Sequence, residues 1–388
     1  MVNDFMNKLK FSSNLFYMAF IIWVITYVFN QTSYWEMITN RKIILIVRGI
    51  VYLLLYFKFL LDESYSIKTL LALFFMGIIF FITINSRQLN IWDTFLFIYS
   101  ARNLDLKKII KITLILQVIL MIFIIMSSMI GVIPNYVWYR EDYSPRYGLG
   151  YNYTSFCANY FFHIVLMYTY LKEDKTLRLI ECICIFIINF IIYYLTDTKA
   201  VFYLVNIIIL IIYFIDKKRA SIIKDSFIKR SIYKYCFPIC ATVSIIFTIN
   251  YNNSNSMYLF LNKLLTGRLA LGKSAYENFH FKLFGQIIPW ITAGDEQAKN
   301  LYNYVDSSYV NILINFGVVI LILLCWGMVI IGREAINKNQ HFLCIVLVAL
   351  SIHSITDPQF IELGYNPFLL LLSIVFLQRG KKKIIIRL

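Results

Sequence analysis

Apolar runs long enough to cross a lipid bilayer follow one another along almost the whole chain, and this repetition constrains the fold more than any motif. A spanning helix needs about 20 mostly apolar residues, and Ile43–Leu61, Ile109–Ile133 and Val310–Ile331 each supply such a run. The runs do not alternate apolar with polar residues, as barrel strands would. Of the 388 residues, 60% are hydrophobic and only 15% charged, more apolar surface than a soluble domain of this length could hide. The sequence therefore predicts an all-α, polytopic integral membrane protein, with residues 1–388 forming one transmembrane domain.

Twelve spans are expected, near 15–29, 43–61, 69–84, 89–101, 109–133, 153–171, 177–195, 199–215, 233–250, 309–331, 341–357 and 364–378. The fourth is short and carries Asp93, which suits a half-helix or an interfacial segment. Leu15–Phe29 follows Lys8 and Lys10 with no small-residue cleavage site after it, so it is expected to stay as the first span. Basic residues set the orientation. Lys107, Lys108 and Lys111 precede the fifth span, and Lys172, Lys175 and Arg178 separate the sixth and seventh. Lys217, Lys218, Arg219, Lys224, Lys229 and Arg230 separate the eighth and ninth, and Lys381, Lys382, Lys383 and Arg387 end the chain. With twelve spans these clusters share one side, which makes it cytoplasmic and places both termini there. Arg41 and Lys42 fall outside that pattern. The same loop charges account for the net charge of +16 without a nucleic-acid partner.

The seven cysteines (157, 182, 184, 236, 240, 325 and 344) lie in or beside apolar runs and form no Cys-x-x-Cys pair. They read as small packing residues rather than ligands or disulfides. The four histidines are scattered at 163, 280, 341 and 353, so no metal site and no cofactor are expected.

Three connections face outward on this topology: Pro134–Asn152, the short "TDTKA" (Thr196–Ala200), and residues 251–308. The last is a large extracytoplasmic loop too long to be incidental and too rich in aromatics and leucine to be disordered. Within it lies Thr266–Trp290, "TGRLALGKSAYENFHFKLFGQIIPW". Thr266 can cap a helix and Gly267 can turn the chain before it. Leu269, Gly272, Tyr276, Phe279 and Leu283 then make an apolar stripe. Lys273, Glu277 and His280 line another face, the first two close enough to pair. Gly285 ends the helix and Pro289 stops any continuation. Such a helix lies on the outer membrane surface or folds over the bundle.

Arg268 stands at the first turn of that helix, where N-terminal amides and a guanidinium can together bind an anion. Arg146 and Lys199 face the same side, although a cation at a span edge can also simply snorkel. His353 and Asp357 share a helix face at i and i+4 near the end of the eleventh span. They read either as functional intramembrane groups or as a structural pair. The 29 tyrosines, 33 phenylalanines and 6 tryptophans fit interfacial belts, with sugar stacking as a further use.

The order of these motifs resembles the bacterial cell-surface polysaccharide polymerases of the Wzy type, relatives of the O-antigen ligases, over roughly the last two thirds of the chain. "PRYGLGYNYTSFCANYFF" resembles the family's Arg-x-x-x-Gly segment, and "YYLTDTKAVFYLV" its Thr-x-Ser-Arg segment. "TGRLALGKSAYENF" followed by "LFGQ" resembles its Gly-Arg-Leu segment with a Phe-Gly closure, and "VDSSYVNILINFGVVILIL" its Asp-Asn-x-Tyr segment. Lys199 stands where that family has arginine, Thr198 where it has serine, and Ser307 where it has asparagine. Lysine keeps the charge and loses the bidentate fork. The ligases carry a histidine in the last region, and this chain has none there.

The resemblance implies a GT-C-like glycosyltransferase architecture in the bacterial cytoplasmic membrane. It also implies metal-independent transfer of an undecaprenyl-diphosphate-linked glycan to the sugar hydroxyl of another lipid-linked repeat unit. Arg146, Lys199 and Arg268 would hold the diphosphate. Asp306 would be the base or acceptor orienter, with the alternative that it caps a helix beside Ser307 and Ser308. Glu277, His280, Gln286, His353 and Asp357 are further candidates for acceptor or sugar contacts. The implied partners are lipid-linked glycans, membrane lipids, a chain-length regulator and a flippase. A ligase, a lipid-linked-oligosaccharide flippase and a noncatalytic membrane scaffold are the competing readings, although no internal repeat of the kind transporters carry is found.

Overall fold

The computed structural model describes residues 2–38, 42–62, 67–139, 143–172, 176–214, 227–292 and 302–376. Arg41, Lys175, Lys217, Lys218, Arg219, Lys224, Lys381, Lys382, Lys383 and Arg387 lie outside the described residues.

In chain order the helices are α1 (Val2–Asn30), α2 (Tyr34–Met37), α3 (Lys42–Asp62), α4 (Ile67–Ser86), α5 (Leu89–Ser100) and α6 (Leu106–Met129). Next come a two-stranded ribbon of β1 (Val137–Tyr139) and β2 (Pro145–Tyr147), then α7 (Thr154–Leu171), α8 (Leu179–Thr196) and α9 (Lys199–Phe214). α10 (Phe227–Ile249), α11 (Ser256–Leu264), α12 (Arg268–Phe279), α13 (Ser308–Asn315), α14 (Gly317–Asn337) and α15 (His341–His353) complete the helices among the described residues. Two 3-10 segments follow, Pro358–Ile361 and Pro367–Phe376.

Among the described residues seven helices are long and apolar enough to cross a membrane, within α1, α3, α4, α6, α8, α10 and α14. The chain is thus a helical, multi-pass membrane protein. The other five expected spans correspond to α5, α7, α9, α15 and the last 3-10 segment, each shorter or more polar than those seven.

Burial separates the inner helices from the outer ones. α7 buries fourteen of its eighteen residues, including Asn159 and His163, so it forms the centre of the bundle. α8 buries only Cys182, Asn189, Ile192 and Thr196 and turns Phe186, Ile187 and Phe190 outward, the pattern of a helix that faces lipid. α5 is short, as expected, and eight of its twelve residues are buried, Asp93 among them, so its charge must be matched inside. Arg48 of α3 meets Asp93 through Nε at 3.0 Å and Nη2 at 2.9 Å, and the Tyr52 hydroxyl donates to the other carboxylate oxygen at 2.5 Å.

The expected span 309–331 is broken. Phe316 ends α13, and Gly317 takes a left-handed φ of +87° before α14 begins. The chain after α12 passes over this break, with Gly285 (φ +76°) against Gly317. A Cβ on Gly317 would lie 2.5 Å from the Gly285 nitrogen, and one on Gly285 2.5 Å from the Asn315 oxygen. Only two glycines permit that approach. The crossing segment satisfies the groups the break exposes: Gln286 N–H donates to Asn315 O (3.0 Å), Val318 N–H to Lys282 O (3.0 Å) and Val319 N–H to Leu283 O (3.2 Å). Broken helices survive at membrane depth under this condition.

Among its described residues the loop 251–308 carries two helices, where the sequence pattern predicts one. α12 folds over the bundle: Leu269, Gly272 and Ala275 are buried, a Cβ on Gly272 would come within 2.8 Å of Thr248, and Lys273 Nζ donates to Ile249 O at 2.8 Å. Burying Leu269 alone is worth about 1.5–3 kcal/mol. Lys273 and Glu277 pair at 3.3 Å as expected. The ends of α12 differ from expectation. Gly267 in the left-handed region precedes the helix in place of Thr266, and the helix stops at Phe279, with His280 (φ +53°) beyond it. Gly285 is therefore freed for the crossing, and Leu283 is exposed rather than part of the stripe. Ala275, Ile288, Val305, Val310 and Ile314 form a small apolar core under this loop.

Candidate functional site at one end of the bundle

Several helix ends meet at one end of the molecule. Asn152 N–H donates to Gln31 O (3.0 Å) and Ser33 N–H to Gly150 O (3.0 Å), tying the end of α1 to the ribbon connection. Ser308 N–H donates to both Ser354 O (2.9 Å) and Asp357 O (3.2 Å), and Phe360 N–H donates to Ser308 Oγ (3.1 Å). The segment before α13 is thereby bound across the loop that follows α15.

Arg268 and Asp306 meet here. Arg268 Nε lies 3.5 Å from Asp306 Oδ2, with side-chain exposures of 25% and 27%. Arg268 Nη1 also donates to Leu265 O at 3.2 Å and to the Thr266 hydroxyl. The Tyr302 hydroxyl donates to Asp306 Oδ1 at 3.5 Å. Burial pushes the Asp306 carboxyl above the usual carboxylate range, while the Arg268 guanidinium and the Tyr302 hydroxyl pull it back. A cleft between α10, α11 and α12 is lined by Ser244, Thr248, Leu265, Arg268, Ser307 and Ile355. Ser244 and Ser307 hydroxyls bond across it at 2.9 Å.

The expected share of backbone amides in anion binding is not met. Arg268 N–H donates to Leu265 O, and Ala270 N–H donates to the Asn262 side chain at 3.1 Å. Most of the donors at the head of α12 are already engaged, so the charge available to an anion there is the guanidinium's own.

Arg146 and Lys199 belong to a neighbouring corner. Arg146 sits on β2 opposite Trp138, and its Nε donates to Thr196 O at 2.9 Å, covering the end of α8. Lys199 is exposed at the start of α9, three residues past Thr196. Aromatic rings lead from this corner toward the other: Trp138 meets Tyr153 edge-on at 5.7 Å, and Tyr153 lies within electrostatic reach of Tyr302.

The remaining candidates separate. Asp357 and His353 do not share a helix face, since α15 ends at His353 and Asp357 caps the next 3-10 turn through Gln359 N–H (3.0 Å). Asn159 joins them instead, donating to Asp357 Oδ2 at 2.6 Å while its oxygen faces His353 Nε2 at 3.2 Å. Both lie within the field of Arg268. Gln286 braces the broken helix, its side-chain amide donating to His280 O (2.8 Å) and Ile314 O (3.3 Å). Glu277 and His280 are exposed on the outer side of α12.

Sequence reasoning missed Asn159 and Glu362. Glu362 accepts from Tyr27 OH at 3.0 Å and Asn90 Nδ2 at 2.8 Å, and lies within reach of Tyr304, which also feels Asp306 and Asp357. A lone polar residue inside an apolar run was the only signal for Asn159. Among the described residues no group of three histidine, cysteine or acidic side chains could hold a metal, and all seven cysteines are free thiols. No family model, curated protein or solved structure matches the chain.

Proposed function

We propose that the chain is a polymerase of lipid-linked glycans. It would join oligosaccharide repeat units carried on undecaprenyl diphosphate into a cell-surface polysaccharide, at the outer face of a bacterial cytoplasmic membrane. The order of motifs in the sequence motivates this reading. The observation that carries it is the half-open Arg268–Asp306 pair, 3.5 Å apart and about a quarter exposed, beside a cleft at the end of a membrane bundle. In this reading the acceptor hydroxyl oxygen attacks the anomeric carbon, and the bond to the diphosphate breaks with its electron pair on the leaving oxygen. Arg268 stabilises that developing charge, which a fixed cation does well in a water-poor site. Asp306 takes the acceptor proton. Arg146, bound to Thr196 O, and the exposed Lys199 mark a separate corner and take no part in this step.

Burial raises the Asp306 pKa, so its basic form is lost as pH falls through that raised value. Chain extension should drop on the acid side at a higher pH than an ordinary carboxylate would give.

A transporter is the second reading, favoured by the broken helix at Gly317, since transporters often bind their cargo at interrupted helices. Purified protein in liposomes with lipid-linked repeat units separates the two. Longer glycans on the same lipid support the polymerase, and movement across the bilayer without lengthening supports the flippase. Transfer to a different acceptor supports the ligase. Inert liposomes would sink all three.

A further inference from the structure

Polar side chains lead inward from the site along α7, and several are buried with no protein partner. His163 is 1% exposed, and neither of its ring nitrogens is hydrogen-bonded. Its ring stands 5.8 Å from His353, edge-on, and 6.0 Å from Tyr365. Tyr365 stacks on Tyr160 at 4.0 Å, and Tyr160 stacks on Tyr151 at 5.5 Å. The Tyr151 and Thr154 hydroxyls, both at 0% exposure, also lack partners. Gln117 of α6 donates to Gly364 O at 2.7 Å, yet its own side-chain oxygen is unmatched, as is that of Asn366.

Buried polar atoms are nearly always paired with protein or with ordered water, and interior waters typically make about three hydrogen bonds each. These atoms come from α6, α7, the turn just before α7 and the segment before the last 3-10 turn, and Tyr365 links several of them: its carbonyl accepts from Gln117 Nε2 at 3.4 Å, its ring contacts His163 and Tyr160, and Asn366 follows it in the chain. Tyr309 provides the contrast: it is equally buried, but its hydroxyl donates to Ser351 O at 2.7 Å.

We propose that Tyr151, Thr154, Gln117, His163 and Asn366 enclose a file of bound water that reaches the inner side of the His353–Asn159–Asp357 set. Its use rests on the polymerase reading: water held behind Asn159 and Asp357 keeps that set in place, and the Asp357 carbonyl, which accepts from Ser308 N–H at 3.2 Å, in turn fixes the segment that carries Asp306.

Hydroxyl-radical footprinting of the full-length protein in nanodiscs tests the water directly, since a radical forms where water is held. Tyr151, Tyr160, Tyr365 and His163 should be modified at rates close to that of exposed Tyr194, and Tyr309 should stay protected. Protection of all four at the level of Tyr309 overturns the water file. The positioning role is read in the liposome assay. His163→Leu should lower kcat by roughly a hundred-fold with KM unchanged, as a misplaced catalytic group does, and His163→Gln should restore it. Normal kcat in His163→Leu, or a loss that glutamine does not rescue, overturns the role. If the wild type extends no glycan, the polymerase reading fails, while the footprinting result stands independently.

Discussion

Arg48–Asp93 and Arg268–Asp306 are both arginine–aspartate pairs, and the first is closed where the second is open. Asp93 is 1% exposed, meets two guanidinium nitrogens at 2.9 and 3.0 Å, and receives the Tyr52 hydroxyl on its other oxygen. Arg48 also lies over the Trp23 ring at 5.6 Å. Nothing in that arrangement is left to offer a ligand, so it serves to lock α3 to α5. Asp306 meets one guanidinium nitrogen at 3.5 Å and a tyrosine at the same distance, with about a quarter of each charged side chain in solvent. The difference teaches that charge inside a membrane protein signals function only when its geometry is incomplete. A satisfied pair is a fastener, and a loose pair can exchange its partner for a substrate anion.

Breaking each pair should therefore produce opposite signatures. Arg48→Ala strands a buried carboxylate and should cost about 3–5 kcal/mol of stability, read as loss of folded protein in detergent. Arg268→Ala should change the melting temperature far less than Arg48→Ala, since a loose, partly exposed pair is worth about 0–1 kcal/mol. It should nonetheless cut glycan extension by about a hundred-fold or more, the size of effect seen when a fixed charge-stabilising donor is removed. Wild-type glycan length in Arg268→Ala would end the assignment of the open pair to the site. Gly317→Ala forces a left-handed φ on alanine and a clash with Gly285, and should cost about 1–3 kcal/mol. Lys199→Ala should have the smallest effect, within about 0.5 kcal/mol in stability and with extension near normal, because Lys199 is exposed and lies apart from the open pair. A strong loss there, with Lys199→Arg tolerated, would instead draw the Arg146 corner into the diphosphate site.

The apolar runs made the membrane class legible, and the 3.6-residue stripe found α12 together with its Lys273–Glu277 pair. Position in the motif order singled out Arg268 and Asp306, which the fold does bring together. What the sequence hid follows from how it was averaged. Hydropathy runs unbroken through "NILINFGVVILIL", so a backbone reversal at one glycine leaves no trace in it. Spacing placed His353 and Asp357 on one helix face, but the helix ends between them and a residue almost two hundred positions earlier, Asn159, makes the link. Long-range partners such as Arg48 for Asp93, or Tyr27 and Asn90 for Glu362, depend on tertiary packing that no local pattern encodes.

The crossing of Gly285 and Gly317 bears on how such a chain can be altered. Because the loop supplies carbonyls and amides to a helix break within the bundle, the loop and the broken helix are one structural unit. Exchanging the loop for that of another protein should work only if the donor segment reaches from α12 through α13 to Gly317. A graft that ends at the conventional membrane boundary would leave the interrupted helix with unmatched backbone groups and an orphaned glycine.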